Sequence, residues 1–275
     1  MMTNDLRFLL KEKYLYNETQ TQETIKLITT NKLEDVNKSI IKDLYLLKNG
    51  TPIAYIIGHI DFLNCRIDLS KRPLIPRQET EFWVENAISK ITQNQNLKIL
   101  DIFCGSGCIG TAIAQNLKTN NIKLQITFSD IEPNAIEQSQ INFNSNLKNK
   151  ANITAKYFIS DVFMNIPLDK FDYIFANPPY VSRTDAVGFS TKYEPQNALY
   201  PMVENNNDET VIKFLAKFLI EAKEFLKEDA TLFVETSGEK QVRLLMKNEL
   251  IKNIYSNISV QVDQYNIKRI LMLKR

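Results

Sequence analysis

The chain has 275 residues, enough for one large α/β domain and a small additional module. Hydrophobic residues make up 44% and charged residues 24%, which excludes disordered and collagen-like classes, and a net charge of +2 does not by itself forecast nucleic-acid binding. No apolar run reaches the roughly 20 residues of a membrane helix, and Asp5, Glu12 and Glu18 interrupt the first twenty residues, so a cytoplasmic protein with no membrane attachment is expected.

Residues 1–50 read as short helices. Leu6, Leu9 and Leu10, then Ile25 and Ile28, then Val36, Ile40, Ile41, Leu44 and Leu47 fall at helical spacing, with Asn49-Gly50 as a C-terminal stop. This stretch is expected to be a helical module that recognises a macromolecular substrate or serves as a packing appendage. From Thr51 to Arg72 the pattern switches to alternation, and a β-hairpin linker is predicted over residues 51–75. His59, the only histidine, falls within it, so a Ser-His-Asp triad has no other base and a structural role for His59 is expected. Cys65, Cys104 and Cys108 are too few and too unevenly spaced for a disulfide framework, and no zinc site is expected from them.

Pro76 opens a helix with an acidic first turn, Glu79 and Glu81, and an apolar side of Phe82, Trp83, Ala87 and Ile88. Arg77 and Thr80 beside it read as cap and salt-bridge residues. Residues 76–275 then form the main domain. Leu97–Phe103 is its first central strand, and DIFCGSGCIG turns that strand into a helix ending near Leu117, with Gly105 and Gly107 allowing close backbone approach. The next strand, Leu124–Ser129, ends at Asp130. An acidic residue there, some 20 or more residues past a glycine turn, suits the two hydroxyls of a ribose. Asp101 is expected near a cofactor or bracing its loop. A helix follows Pro133, and the strand Ile153–Ile159 leads to Asp161, which either bonds an adenine amino group or caps its own backbone.

The fourth strand, Phe171–Ala176, ends abruptly in Asn177, Pro178, Pro179 and Tyr180. Both prolines fix φ and stiffen the residue before them, so the carbonyls of this turn are held in place. A substrate NH2 has two hydrogens to donate, and the Asn177 side-chain oxygen and the Pro178 backbone oxygen are suited to accept one each. With Tyr180 offering a ring face behind the planar group, a weakly nucleophilic nitrogen would be aimed at an electrophile without a general base. A lone NPP is ordinarily a surface turn; the glycine turn and Asp130 give this one its context.

Residues 181–207 form a long polar connection, expected as a substrate lid. A helix over Asp208–Lys227, a strand over Thr231–Glu235 and a helix over Glu239–Leu250 follow, and the tail alternates through two strands with a turn near Tyr265-Asn266. The predicted fold is α/β, a doubly wound, seven-stranded Rossmann-like methyltransferase sheet closed by a C-terminal antiparallel hairpin.

TPIAYIIG, LIPRQETE, the DIFCGSG turn, Asp130, SDVF, NPPY and YEPQNAL, in that order from Thr51 onward, resemble the bacterial protein-(glutamine-N5) methyltransferases that act on peptide chain release factors. The resemblance implies S-adenosylmethionine as methyl donor and the GGQ-motif glutamine of class I release factors as acceptor. It implies that Phe103, Cys104, Gly105, Ser106 and Gly107, with Asp101, Asp130, Asp161, Val162 and Asn177, hold the cofactor. Asn177 and Pro178 would hold the acceptor amide, with Pro179 and Tyr180 lining its slot. The implied partners are class I release factors, free or on the ribosome, met by a monomer with no need for direct nucleic-acid contact. LIPRQETE points away from the ribosomal-protein glutamine methyltransferases. Phe103 stands where the family has glycine, Val162 where it often has an aromatic, and VENNNDET where it has a glycine-rich acidic element; the helical module is also short. The rival reading is a nucleic-acid exocyclic-amino methyltransferase of the N6-adenine type, which presents the same NH2 to NPPY but ordinarily needs a basic recognition domain that this chain does not show. A non-enzymatic cofactor-binding scaffold is the third reading, suggested only by Phe103.

Overall fold

The computed structural model describes residues 45–91, 96–117, 122–147 and 151–275, and besides them residues 26 and 43. The helical module expected over residues 1–50 lies outside the described residues apart from its last turn, which stops at Asn49 and Gly50, the latter at φ 90°. The segment after it begins differently from the expected alternation. Ile53–Ile57 form helix α1, bounded by Pro52 and by Gly58 at φ 88°, whose N–H donates to Ala54 O. Proline sets the entry and the left-handed glycine the exit, and these two residues outweigh the β-branched composition between them. The hairpin follows as β1 (His59–Phe62) and β2 (Cys65–Asp68), joined by a two-residue turn with Leu63 and Asn64 both at positive φ.

The main sheet contains β3 (Asn96–Ile102), β4 (Lys123–Asp130), β5 (Ile153–Ile159), β6 (Phe171–Ala176), β7 (Leu226–Glu235), β8 (Asn257–Val262) and β9 (Lys268–Lys274). Their spatial order is β5-β4-β3-β6-β7-β9-β8, parallel throughout except for β9, which runs antiparallel to both neighbours. Helices α2 (Gln78–Ile88), α3 (Cys108–Asn116) and α4 (Pro133–Asn146) contribute to one apolar core, while α6 (Asp208–Ala222), α7 (Glu239–Leu245) and α8 (Glu249–Ile254) contribute to the other; α5 (Gln196–Leu199) sits in the connection between β6 and α6. Strand alternation divides the side chains between the cores. Ile99, Phe175 and Phe233 enter the first, and Leu100, Ile174, Leu232 and Val234 the second.

Trp83 anchors α2 to the sheet. Its ring stacks on Phe175 of β6 at 6.1 Å and Phe233 of β7 at 6.4 Å, and all three side chains are almost fully buried. Burying a side chain of this size contributes about 1.5–3 kcal/mol. The hairpin belongs to the same core through Phe62, Cys65, Ile67 and Leu69. Its outer strand is also held by α4: the side-chain oxygens of Gln138, Asn142 and Asn146 accept the backbone N–H groups of Lys71, Asp68 and Arg66. Polar side chains from a helix thus satisfy a strand edge that would otherwise expose unpaired donors.

Two boundaries differ from those expected. The helix predicted over Glu239–Leu250 is split, because the Asn248 side chain accepts the N–H groups of Leu250 and Ile251 and starts α8 afresh. The helix predicted to run through Lys227 stops at Ala222, a 3-10 turn follows, and Leu226 already pairs with Phe171 in β7. At the other end of α6, Asn207 and Thr210 form a reciprocal capping box.

Gly110 lies in α3 where the helix meets β4. A Cβ there would come within 2.5 Å of the Phe128 ring and 2.9 Å of the Ile126 side chain, both fully buried. Gly110→Ala is therefore expected to lower unfolding stability by about 1–3 kcal/mol despite alanine's better helix propensity. Urea denaturation would test this; a stability equal to or above that of the unaltered chain would show that the helix can move off the sheet without cost.

Candidate active site

The carboxyl ends of β3, β4, β5 and β6 all open on one side of the sheet, and chain order reverses direction between β3 and β6. A crevice at such a reversal is the usual place for a ligand in an open α/β sheet. Here it is a cavity of about 470 Å³, within the range that takes a nucleoside-sized molecule. Of the residues expected from the sequence, Phe103, Cys104, Gly105, Ser106, Asp130, Asp161, Val162, Asn177 and Pro179 line it, whereas Asp101, Gly107, Pro178 and Tyr180 do not.

The turn after β3 bends through three positive φ angles, at Phe103 (59°), Gly105 (52°) and Gly107 (70°). Glycine takes this conformation freely, but Phe103 must be held in it. Its ring makes edge contacts with Phe218 at 5.2 Å and Phe214 at 6.2 Å on α6, so the aromatic side chain fastens the turn to the neighbouring helix. A Cβ on Gly105 would meet no atom within 4 Å, which leaves that backbone bare to the cavity. Asp130 faces the turn from the end of β4. Its Oδ2 accepts the Gly105 N–H at 2.9 Å and its Oδ1 the Glu132 N–H at 3.0 Å. Each carboxylate oxygen keeps a lone pair for a further donor, as a ribose hydroxyl requires. Burial raises the pKa of Asp130, and the two backbone donors oppose that shift.

Asp101 and Gly107 act behind the turn. The Asp101 side chain is fully buried and its Oδ2 accepts the Gly110 N–H at 2.8 Å, bracing the first turn of α3, while Oδ1 has no hydrogen-bond partner among the described residues. Gly107 is needed for packing: a Cβ would lie 2.5 Å from Ser139 Cβ on α4. Cys104 and Cys108 are buried, burial pushes both thiols up, Cys108 to about 12, and no metal-binding cluster occurs among the described residues.

At the end of β5 the turn is closed by the neighbour of Asp161. Ser160 Oγ accepts the Asn165 N–H and closes the turn, leaving the Asp161 side chain exposed on the cavity. Val162 beside it sits at φ 48°, strained for a β-branched residue and placed on the cavity wall.

The NPPY turn is organised from beneath. Glu235, at the end of β7 and 1% exposed, accepts three hydrogen bonds: from Trp83 Nε1 (2.7 Å), Thr80 Oγ1 (2.7 Å) and Tyr180 OH (2.9 Å). Thr80 Oγ1 in turn accepts from Asn177 Nδ2 at 3.2 Å. Tyr180, expected to present its ring to the slot, has its hydroxyl turned to this buried carboxylate, and burial pushes the phenol well above its ordinary range. Pro178 is buried beneath the turn. Among the described residues, no group donates to Asn177 Oδ1 or to the Pro178 carbonyl.

Sequence reasoning missed Glu235 altogether and gave Thr80 only a capping role. It also did not bring Arg77 to YEPQNAL. Arg77 donates to Glu194 Oε1 at 2.7 Å and Ile75 N–H to Glu194 Oε2 at 3.0 Å, so residues 75–77 and 194 clasp each other beside the cavity. The connection expected as a polar lid contains a 3-10 turn, Phe189–Tyr193, and α5, and its Pro195, Asn197 and Ala198 form part of the cavity wall. The only signal for these contacts was the presence of both LIPRQETE and YEPQNAL, which are more than 100 residues apart.

A seven-stranded sheet with its penultimate position filled by an antiparallel strand, and a glycine turn facing an acidic strand end, define the class of S-adenosylmethionine-dependent methyltransferases. A family described as methyltransferase small domain matches residues 84–192. The structure resembles that of a methyltransferase from Pyrococcus furiosus, with a TM-score of 0.52 at 14% identity, covering 86% of this chain and 95% of that one. The chain belongs to the release factor glutamine methyltransferase family. It is 34% identical to the release factor glutamine methyltransferase of Flavobacterium psychrophilum, across 78% of this chain and 75% of the relative. The corresponding protein of Fusobacterium nucleatum is 28% identical across 97% of this chain and 73% of the relative. No described helix is long and apolar enough to cross a membrane.

S-adenosylmethionine fits what lines the cavity: bare backbone at Gly105, a carboxylate with spare acceptor capacity at Asp130, and apolar wall at Phe103 and Val162. The buried Asp101 behind this site has a distinct pH signature. Burial lifts its pKa well above the ordinary 3.8. Between 3.8 and the raised value the folded chain retains a proton that the unfolded chain has released, so this group's contribution to stability declines as pH rises. Asp101→Asn removes the titration. The stability of the unaltered chain minus that of the variant is expected to fall from about pH 4 upward, measured by urea midpoints; a difference that rises with pH would mean that Asp101 is ionised more readily when folded.

Proposed function

We infer that the chain transfers the methyl group of S-adenosylmethionine to the side-chain amide nitrogen N5 of the glutamine in the GGQ motif of class I peptide chain release factors. The observation that supports this best is Asn177 on the cavity wall at the end of β6, its Oδ1 unengaged among the described residues. Because Asn177 gives its NH2 to Thr80, its Oδ1 is the atom left for the cavity side. Asn177 Oδ1 and the Pro178 carbonyl would each accept one hydrogen of the glutamine amide, which aims the nitrogen. When bound, S-adenosylmethionine supplies an electrophilic methyl group. No side chain is needed to remove a proton before transfer, since the nitrogen becomes acidic once it carries positive charge. Tyr180, fixed by Glu235, would form the wall behind the amide, and Pro179 the edge facing the cavity.

In this reading Gly105, Ser106 and Asp130 hold the ribose and methionine portions of the cofactor, and Asp161 and Val162 the adenine. Residues 1–50 serve as the surface for the release factor, met free or on the ribosome, and the enzyme works as a cytoplasmic monomer. The test is transfer of labelled methyl to purified release factor, to its GGQ glutamine-to-alanine variant and to mixed DNA oligonucleotides in parallel. Label is expected on the intact factor alone; label on DNA alone would move the chain to the nucleobase class. Asn177→Ala is expected to lower turnover by about 10²-fold while cofactor affinity is retained; loss of cofactor binding instead would overturn the acceptor role.

A further inference from the structure

We propose that Thr80 is a positioning residue, oriented by the buried Glu235, whose hydroxyl forces the Asn177 amide to turn its oxygen toward the substrate and its NH2 away. The proposal rests on the acceptor role assigned above to Asn177 Oδ1.

An asparagine amide has two orientations of nearly equal shape, and only one of them presents an acceptor to an incoming NH2. In the other, NH2 would face NH2 and the substrate amide would be turned away. The choice is made by hydrogen-bond direction. Burial raises the pKa of Glu235 and its three donors oppose that shift, but the direction at the oxygen facing Thr80 is set by geometry: Trp83 Nε1, which can only donate, points at the same Oε2, so that oxygen is an acceptor. Thr80 has a single hydroxyl hydrogen and gives it to Glu235 Oε2 at 2.7 Å. What remains on Thr80 Oγ1 is lone-pair density, so the group facing it from Asn177, 3.2 Å away, must be a donor. Thr80 is 2% exposed, which leaves little room for water to replace its hydroxyl, and it lies on the wall of the cavity next to Asn177.

The same logic explains why the residue on β6 is an asparagine in this setting. An aspartate would bring a second acceptor to an oxygen whose only hydrogen is already committed, and a second carboxyl group toward Glu235. The ordering information thus starts on β7, passes through the first turn of α2, and reaches the substrate side at the end of β6.

Glu235 is a poor site for the test, because removing it strands three buried donors and disturbs folding. Thr80→Val and Thr80→Ala remove the hydroxyl with little change and with loss of volume respectively, and Thr80→Ser retains it. The measurements are kcat and KM with release factor as acceptor, cofactor Kd by calorimetry, and the melting temperature. For Thr80→Val and Thr80→Ala we expect kcat to fall roughly 10-fold, the equivalent of one lost hydrogen bond, with cofactor Kd unchanged, and Thr80→Ser to restore most of the rate. An unchanged kcat in a folded hydroxyl-free variant would overturn the proposal. So would a rate loss matched by loss of cofactor affinity, or a serine variant as slow as the valine one. Absence of methyl transfer to release factor by the unaltered chain is a separate result: it would remove the functional reading itself, whatever the Thr80 variants do.

Discussion

The site depends on one buried carboxyl group, that of Glu235. Glu235 sits at the end of a central strand, where an unpaired carboxylate would cost several kcal/mol. Three donors from two other parts of the chain offset that cost: Thr80 and Trp83 from the start of α2, and Tyr180 from the turn after β6. An acceptor of three hydrogen bonds buried this deeply tolerates little displacement of its donors. It therefore sets the position of α2 against β7 and the direction in which the NPPY turn leaves the sheet. Trp83 reinforces the arrangement by stacking on Phe175 and Phe233 of the two strands concerned. Membership of the release factor glutamine methyltransferase family gives this geometry its chemical setting.

Phe103 and Val162 both hold positive φ and both line the cavity. A left-handed backbone costs an ordinary residue about 1–2 kcal/mol, so each conformation persists only where surrounding contacts impose it. For Phe103 those contacts are the rings of Phe214 and Phe218, which tie the turn to α6.

Enclosure of the cavity comes from segments with no local relation. The loop before α2 and the connection after β6 meet through Glu194, whose buried carboxylate takes Arg77 on one oxygen and the Ile75 N–H on the other. Residues 71–77, which follow the β1–β2 hairpin, line one flank of the cavity, and the hairpin leading into them is held by amide side chains of α4. An element that reads as a linker in sequence is physically part of the same core.

The amino-acid sequence by itself determined the strands, most helices, their alternation and the residue types at the strand ends. These follow from periodicity, from glycine and proline, and from capping, all of which act over a few residues. It also carried the glycine turn, Asp130 and NPPY, because each is a contiguous run whose backbone demands are local. The tertiary structure alone decided which of those residues line the cavity. Asp101 and Gly107 lie in the right motif yet serve the packing behind it, and Tyr180 gives its hydroxyl to a carboxylate 55 residues away. Glu235 and Glu194 had no legible role and Thr80 only that of a cap, since a hydrogen bond between distant segments leaves no period or spacing in the chain; the donors and acceptor around Glu235 become partners only when the sheet brings β6, β7 and α2 together.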